Sequence, residues 1–330
     1  MNNQKKILYI ISGETGYKKT DEIILRSLGN VRKLNYKSSW NYIDPKLLLN
    51  FIWCNTIVVW FASFHAFPVI LLNYYFNKRL IIIAGGFDVA SVPNINYGAM
   101  RGRSRAKFGK WLLLRAHSVI AVSKSNRQEI IENGIVTPKK ISLIYNAIPK
   151  IIITNTLRKK NQVLTVGEVN EETYLRKGLD RFINIAKKMP TIQFIHIGKW
   201  TDNHGRVSSE MIQYVKSISP ANIHYLGYVK NKELKKHYEE SKIYLQLSRH
   251  EAFGVSVVEA MRYGCTPVVS NVFALPEVVG NNGFVINNIG EAINAIILAM
   301  LDKHHKLKNN LLEKFWMDKR LQKFKRIIEN

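Results

Sequence analysis

Short apolar runs alternate along the chain with stretches whose apolar positions recur every three to four residues. The runs of the first half are KILYIIS, NTIVVWFA, RLIIIAGG, HSVIAVS and KISLIYNA, and helical spacing separates them in TDEIILRSLGN and SKSNRQEIIENG. After IPKIIITNTLRKKN the alternation restarts with QVLTVGEV, TIQFIHIGK, NIHYLGYV, KIYLQLS, CTPVVS and GFVIN, and NKELKKHYEESK is one of the helical stretches between them. Strands apolar at every position are covered on both faces, which predicts parallel sheets flanked by helices. The reading is an α/β chain of two doubly wound domains, residues 1–150 and 151–330, with the last helix packing back on the first domain. In such sheets ligands bind beyond the carboxyl ends of the strands, so strand-end loops of both halves are expected to face one cleft.

The 330 residues exceed one ordinary hydrophobic core, in keeping with two domains. Forty-nine Lys and Arg against 24 Asp and Glu leave a formal charge of +25, and residues 1–150 hold 22 of the bases and 7 of the acids. Such a chain attracts an acidic partner: nucleic acid, an anionic membrane surface or a phosphorylated small molecule. Cys54 and Cys265 sit in apolar segments and read as packed free thiols of a reducing compartment. The apolar segment 51–76 has the length of a membrane span, but Asn55, Thr56, Ser63, His65 and Pro68 interrupt it, so a buried strand followed by an apolar helix is expected.

Chemistry concentrates in two places. In SRHEAFGVSVVEAMRYGCTPVVS (248–270) a helix is predicted to begin near Phe253 or Gly254, which puts Glu251 on the strand-to-helix loop and Glu259 on the helix. Amides at that helix start attract an anion, Gly254 admits it to the backbone, and carboxylates accept hydrogen bonds from sugar hydroxyls. The alternative is a capping Glu251 and a solvated Glu259. In VGEVNEETYLRKGLDRFINIAKKMP (166–190) a strand ends at Gly167, and after a polar loop Arg176 and Lys177 precede Gly178 at a helix start. Cations there oppose the helix dipole unless a diphosphate lies between; a solvated basic turn is the other reading.

Together, the SRHEAFGVSVVEAM, GCTPVVS and PEVVG segments resemble the nucleotide-sugar-dependent, retaining glycosyltransferases of the group-one kind, which have the GT-B fold of two Rossmann-like domains. RKGLD and LGYV fall in the same order, and IAGGFDVA, AHSVIAVSKSNRQEI and ISLIYNAI extend the similarity into the first half. The resemblance implies that Glu251 lies near the donor sugar, Glu259 bonds the ribose, Lys177 contacts the diphosphate together with the amides of Phe253 and Gly254, and the backbone around Gly227, Tyr228 and Val229 flanks the base. One departure stands out. Where the family commonly has arginine after VG, this chain has Glu168, so either Arg176 takes over or Glu168 points away. With no Asp-x-Asp motif in the sequence, no metal is expected at the diphosphate. No cofactor is expected either, and the donor is expected to be a UDP-sugar rather than a GDP-sugar.

In the first half the resemblance sets His65 of FASFHAF at the reaction centre; the alternative is a satisfied core histidine. The glycines of IAGGFDV allow close approach at Gly86, and Asp88 either binds acceptor hydroxyls or caps its loop. Residues 101–127 carry eight Lys and Arg, no acid, and Trp111 among leucines. That mixture suits an anionic membrane surface bearing a glycan or lipid-linked acceptor, or else a solvated face over a buried helix. No nucleic-acid motif is visible. The chain is therefore read as a cytoplasmic transferase, peripheral on the inner face of a membrane, in cell-surface or lipid-linked glycan synthesis. A nucleotide-sugar epimerase on the same fold and a non-catalytic polyanion-binding protein are the alternatives.

Overall fold

The computed structural model describes residues 5–36, 44–150, 159–202, 205–302 and 309–329. It divides into two compact units, Met1–Lys150 with Lys314–Asn330, and Ile151–Glu313. Most of the linking stretch IIITNTLRKK, residues 151–158, lies outside the described residues.

The first unit runs β1 (Lys5–Ile11), α1 (Gly16–Leu28), β2 (Gly29–Asn35), α2 (Pro45–Trp53), β3 (Thr56–Trp60), α3 (Phe67–Phe76), β4 (Arg79–Ala84), α4 (Arg103–Leu114), β5 (Ser118–Ala121), α5 (Lys124–Glu132) and β6 (Ile141–Leu143). Its parallel sheet has the order β2-β1-β3-β4-β5-β6. Every residue of β3, and all of β4 after Arg79, is buried, as the unbroken apolar runs require. Segment 51–76 is the end of α2, then β3, then α3; among the described residues no helix is long and apolar enough to cross a membrane. β2 was not evident from the sequence: its alternating GNVRKLN follows α1 with no intervening turn, on an edge where only one strand pairs with it.

The second unit runs β7 (Lys160–Val166), α6 (Glu171–Arg176), α7 (Leu179–Lys188), β8 (Gln193–Ile197), α8 (Ser209–Ile218), β9 (Ile223–Gly227), α9 (Asn231–Glu240), β10 (Ser241–Gln246), α10 (Val255–Arg262), β11 (Thr266–Ser270), α11 (Leu275–Val279), β12 (Phe284–Ile286), α12 (Ile289–Leu301) and α13 (Asn309–Glu313). The sheet, again parallel, is ordered β12-β11-β10-β7-β8-β9, so the chain reverses direction across the sheet between β7 and β10. Ligands of open α/β sheets bind at such a reversal.

A last helix, α14 (Met317–Glu329), belongs to the first unit. Arg320 on it is 2% exposed and holds Asp21 of α1 through two contacts, Nε to Oδ1 at 2.5 Å and Nη2 to Oδ2 at 2.8 Å. Its Nη1 donates to the carbonyls of Ile144 and Tyr145, while Trp60 Nε1 donates to Asp21. A buried ion pair persists only when its remaining polar sites are filled in this way. Cys54 and Cys265 are buried free thiols.

Candidate active site

The loops at the carboxyl ends of β7 and β10 bring together residues far apart in sequence. The polar loop expected after Gly167 holds a short helix, α6, closed by a capping box: Thr173 N donates to Asn170 Oδ1 and Asn170 N to Thr173 Oγ1, both at 2.8 Å. Gly178 then turns the chain into α7 with φ +74°, and a Cβ there would stand 2.1 Å from the carbonyl oxygen of Leu247. Only glycine lets this turn seat against the end of β10.

Arg249 locks that seating. Its backbone N–H donates to Arg176 O at 2.8 Å, Nη1 donates to Leu175 O at 2.6 Å, and its guanidinium grips Asp180 of α7 with contacts of 2.8 and 2.6 Å. The result is a short ion pair, Lys177 Nζ to Glu251 Oε2 at 2.5 Å. Burial alone raises the pKa of the Glu251 carboxyl; Lys177 and Arg176 outweigh burial and hold it below the ordinary glutamate value. Arg176 itself pairs with Glu172 at 3.1 Å, and Glu168, the departure at VGE, accepts from Thr201 Oγ1 at 2.6 Å. Gly167 and Lys177 line one pocket together with Glu168 and the buried His196.

Helix α10 starts after Gly254, whose φ is +92°, and no side chain caps that end; the same holds for α7 after Gly178. Phe253 is 2% exposed, so its ring belongs to the core. Glu259 accepts a long hydrogen bond from Tyr238 at 3.3 Å, and burial raises its pKa, opposed only in part by Arg262 and Tyr238. Tyr228 is an exposed ring at the end of β9 with the Lys199 ammonium 5.0 Å from its centroid.

In the first unit a cavity of about 440 Å³ opens at the ends of β1 and β3, lined by Ser12, Phe61, His65, Phe87, Asp88 and Phe108 among others. His65 has both ring nitrogens engaged, Nε2 with Trp60 O at 2.7 Å and Nδ1 with Ser63 Oγ at 2.9 Å, and burial lowers its pKa to about 4. It is thus held as a neutral imidazole by its own loop. Asp88 accepts from the amides of Ala62, Gly85 and Gly86 at 2.9 to 3.1 Å and is 1% exposed. Of the two roles expected for Asp88, loop capping is the one the hydrogen bonds display: its carboxylate ties the loop that carries Gly86 to Ala62 after β3. Lys18, which the sequence did not single out, is 3% exposed and donates to the carbonyls of Ser12 and Gly13, and burial lowers its pKa to about 8.

Comparison with known proteins agrees with this architecture. The family described as glycosyl transferases group 1 matches residues 148–314. An uncharacterized 41.2 kDa protein in the cps region of Klebsiella pneumoniae is 29% identical over 56% of this chain and 51% of its own length. The O-antigen chain mannosyltransferase B of Escherichia coli is 44% identical over 24% of this chain and 21% of its own. The chain spans about half the length, or less, of these curated relatives. Anabaena Alr3699/HepE, solved in complex with UDP and glucose, superposes with a TM-score of 0.78 at 14% identity, covering 99% of this chain and all of that one. The fold of two parallel α/β units is GT-B.

Proposed function

Because the chain belongs to the group 1 glycosyltransferases, we propose that it moves a sugar from a nucleoside-diphosphate donor to a hydroxyl of a glycan or lipid-linked acceptor, with retention at the anomeric carbon. The observation that carries this reading is the Lys177–Glu251 pair at the β7/β10 reversal, beside two helix starts that no side chain caps. In the bound state the donor diphosphate takes the place of Glu251 as the partner of Lys177, with the amides of Phe253 and Gly254 completing the contact. Glu251, released from the ammonium, then faces the donor sugar. As the glycosidic bond to the diphosphate breaks, negative charge grows on the leaving oxygen, where preorganised cations and helix dipoles are most effective. No metal is needed to hold the diphosphate in this scheme. Glu259 receives the ribose hydroxyls, the backbone from Gly227 to Val229 flanks the base, the neutral His65 lines the reaction centre, and Gly86 belongs to the acceptor side.

The O-antigen mannosyltransferase among the relatives supports a polysaccharide product, and the UDP bound by the Anabaena protein supports a UDP-sugar donor. Neither an epimerase nor a polyanion-binding protein finds support there. The deciding experiment is release of nucleoside diphosphate from UDP-sugars in the presence and absence of membrane-extracted acceptor. Acceptor-dependent release is expected; an exchange of epimers without release would replace the transferase reading.

A further inference from the structure

Helix α3 reads FPVILLNYYF, apolar on every side but one asparagine, yet it lies on the surface. Val69, Ile70 and Asn73 face the core, whereas Leu71, Tyr74, Tyr75 and Phe76 are exposed, Tyr75 by 77%. Beside it α2 buries Leu47 and Phe51 and exposes Leu48, Leu49 and Ile52, the last two by 67% and 64%. The two helices are neighbours: the rings of Phe51 and Phe76 meet edge to face at 5.4 Å, and Lys78 at the end of α3 donates to the carbonyls of Phe51 and Cys54. On the other side α3 joins α4, where Phe67 packs on Trp111 at 5.7 Å and the Arg115 guanidinium lies 5.6 Å from the Tyr74 ring. A helix apolar all round is ordinarily buried, so the exposed apolar side chains of α3, with those of its neighbour α2, want a cover.

Charge identifies the cover. Residues 45–128 contain eleven Lys and Arg and one acid, Asp88, which is buried in its loop. Lys46 starts α2, and Arg103, Arg105 and Lys107 stand exposed on α4. Exposed apolar side chains flanked by the bases of α2 and α4, with Asp44 at the start of α2 as the neighbouring acid, match an anionic lipid bilayer, whose headgroups attract the bases while the leucines and aromatic rings enter the acyl boundary. None of the described helices is built to span, so the contact is lateral. We propose that the α2–α3 face, flanked by the bases of α2 and α4, docks the first unit on an anionic membrane surface, with apolar insertion by Leu49, Ile52 and Tyr75. The inference is independent of the transfer reading, because neither donor nor acceptor enters its test.

The test is co-sedimentation of the whole chain with vesicles of phosphatidylglycerol and phosphatidylcholine, against phosphatidylcholine alone. Wild type is expected to partition at least tenfold more strongly into the anionic vesicles. The apolar variant Leu49→Ser/Ile52→Ser/Tyr75→Ser and the basic variant Lys46→Ser/Arg103→Ser/Lys107→Ser should each lose at least tenfold, with melting temperatures close to wild type. If the apolar variant melts early, Leu71→Ser/Tyr74→Ser on the same face replaces it. Wild type left in the supernatant, equal partition into neutral vesicles, or an apolar variant that sediments like wild type would each overturn the proposal. So would sedimentation velocity showing a wild-type dimer that the apolar variant splits while neither binds vesicles, since the cover would then be a second copy.

Discussion

Lys177 and Glu251 hold one another at 2.5 Å although 74 positions separate them, and Arg249 fixes the two loops that carry them. On the reading proposed above, a phosphate must compete with a carboxylate for the same ammonium. The pair therefore keeps the cation neutralised in the empty protein and hands it over when the donor arrives.

Lys177→Ala is expected to weaken nucleoside-diphosphate binding by about 1.5–3 kcal/mol, the range for a hydrogen bond to a charged group. Isothermal calorimetry with UDP measures it directly. Unchanged affinity would mean that the diphosphate lies elsewhere.

The two glutamates should fail differently. Glu251→Gln is expected to lose turnover, because a contact made chiefly in the transition state acts on kcat, whereas Glu259→Gln should raise KM for the donor through lost ground-state contact with the ribose. Steady-state kinetics with varied donor distinguish them, and the reverse pattern would exchange the roles.

Glu259 also makes a prediction about pH. Its pKa is raised in the fold, so its carboxylate form costs stability that is absent below the unfolded value near 4.3 and grows as pH rises through the folded value. Glu259→Gln without donor should melt above wild type at neutral pH, and the difference should vanish as the solution is acidified below pH 4. A variant less stable than wild type at pH 7 would show that the carboxylate is stabilising.

Activity is expected to survive EDTA, since Lys177 and the starts of α7 and α10 take the charge of the departing diphosphate. Loss with chelator and recovery with Mg or Mn would put a cation at the site.

Removing one partner of a buried ion pair is costly. Arg320→Met leaves the Asp21 carboxylate buried beside Trp60 and should destabilise the first unit by about 3–5 kcal/mol, whereas Asp21→Leu/Arg320→Leu should recover most of it. Thermal melts of both variants read the difference; equal melting would make the pair dispensable.

Periodicity exposed the two parallel sheets because buried strands leave unbroken apolar runs, and the start of α10 was legible in FGVSVVEAM. β2 was not, since an edge strand with alternating polar residues looks like the tail of α1. Lys177 and Glu251 could be named from their motifs, but their mutual contact depends on Gly178 meeting Leu247, a packing relation that spacing does not encode. Arg249 and Asp180 were hidden for the same reason: each is an ordinary charge in sequence, and only the fold makes them one clamp. Of the two roles open to Asp88, capping shows in the fold because two amides of its own loop and that of Ala62 after β3 converge on its carboxylate, a convergence that spacing does not encode.

The anchoring of α14 bears on how the protein is made. Asp21 and its partner Arg320 are 299 positions apart, and the second unit is encoded between them. At translation rates of about 5–20 residues per second, roughly 15–60 s pass before the guanidinium reaches the carboxylate. The second unit, contiguous in sequence, can close its core first. The nascent first unit meanwhile carries an uncompensated acid and the apolar underside of a missing helix, so the ribosome-bound chain is where chaperone contact, misassembly and the effect of an Arg320 variant should be most pronounced.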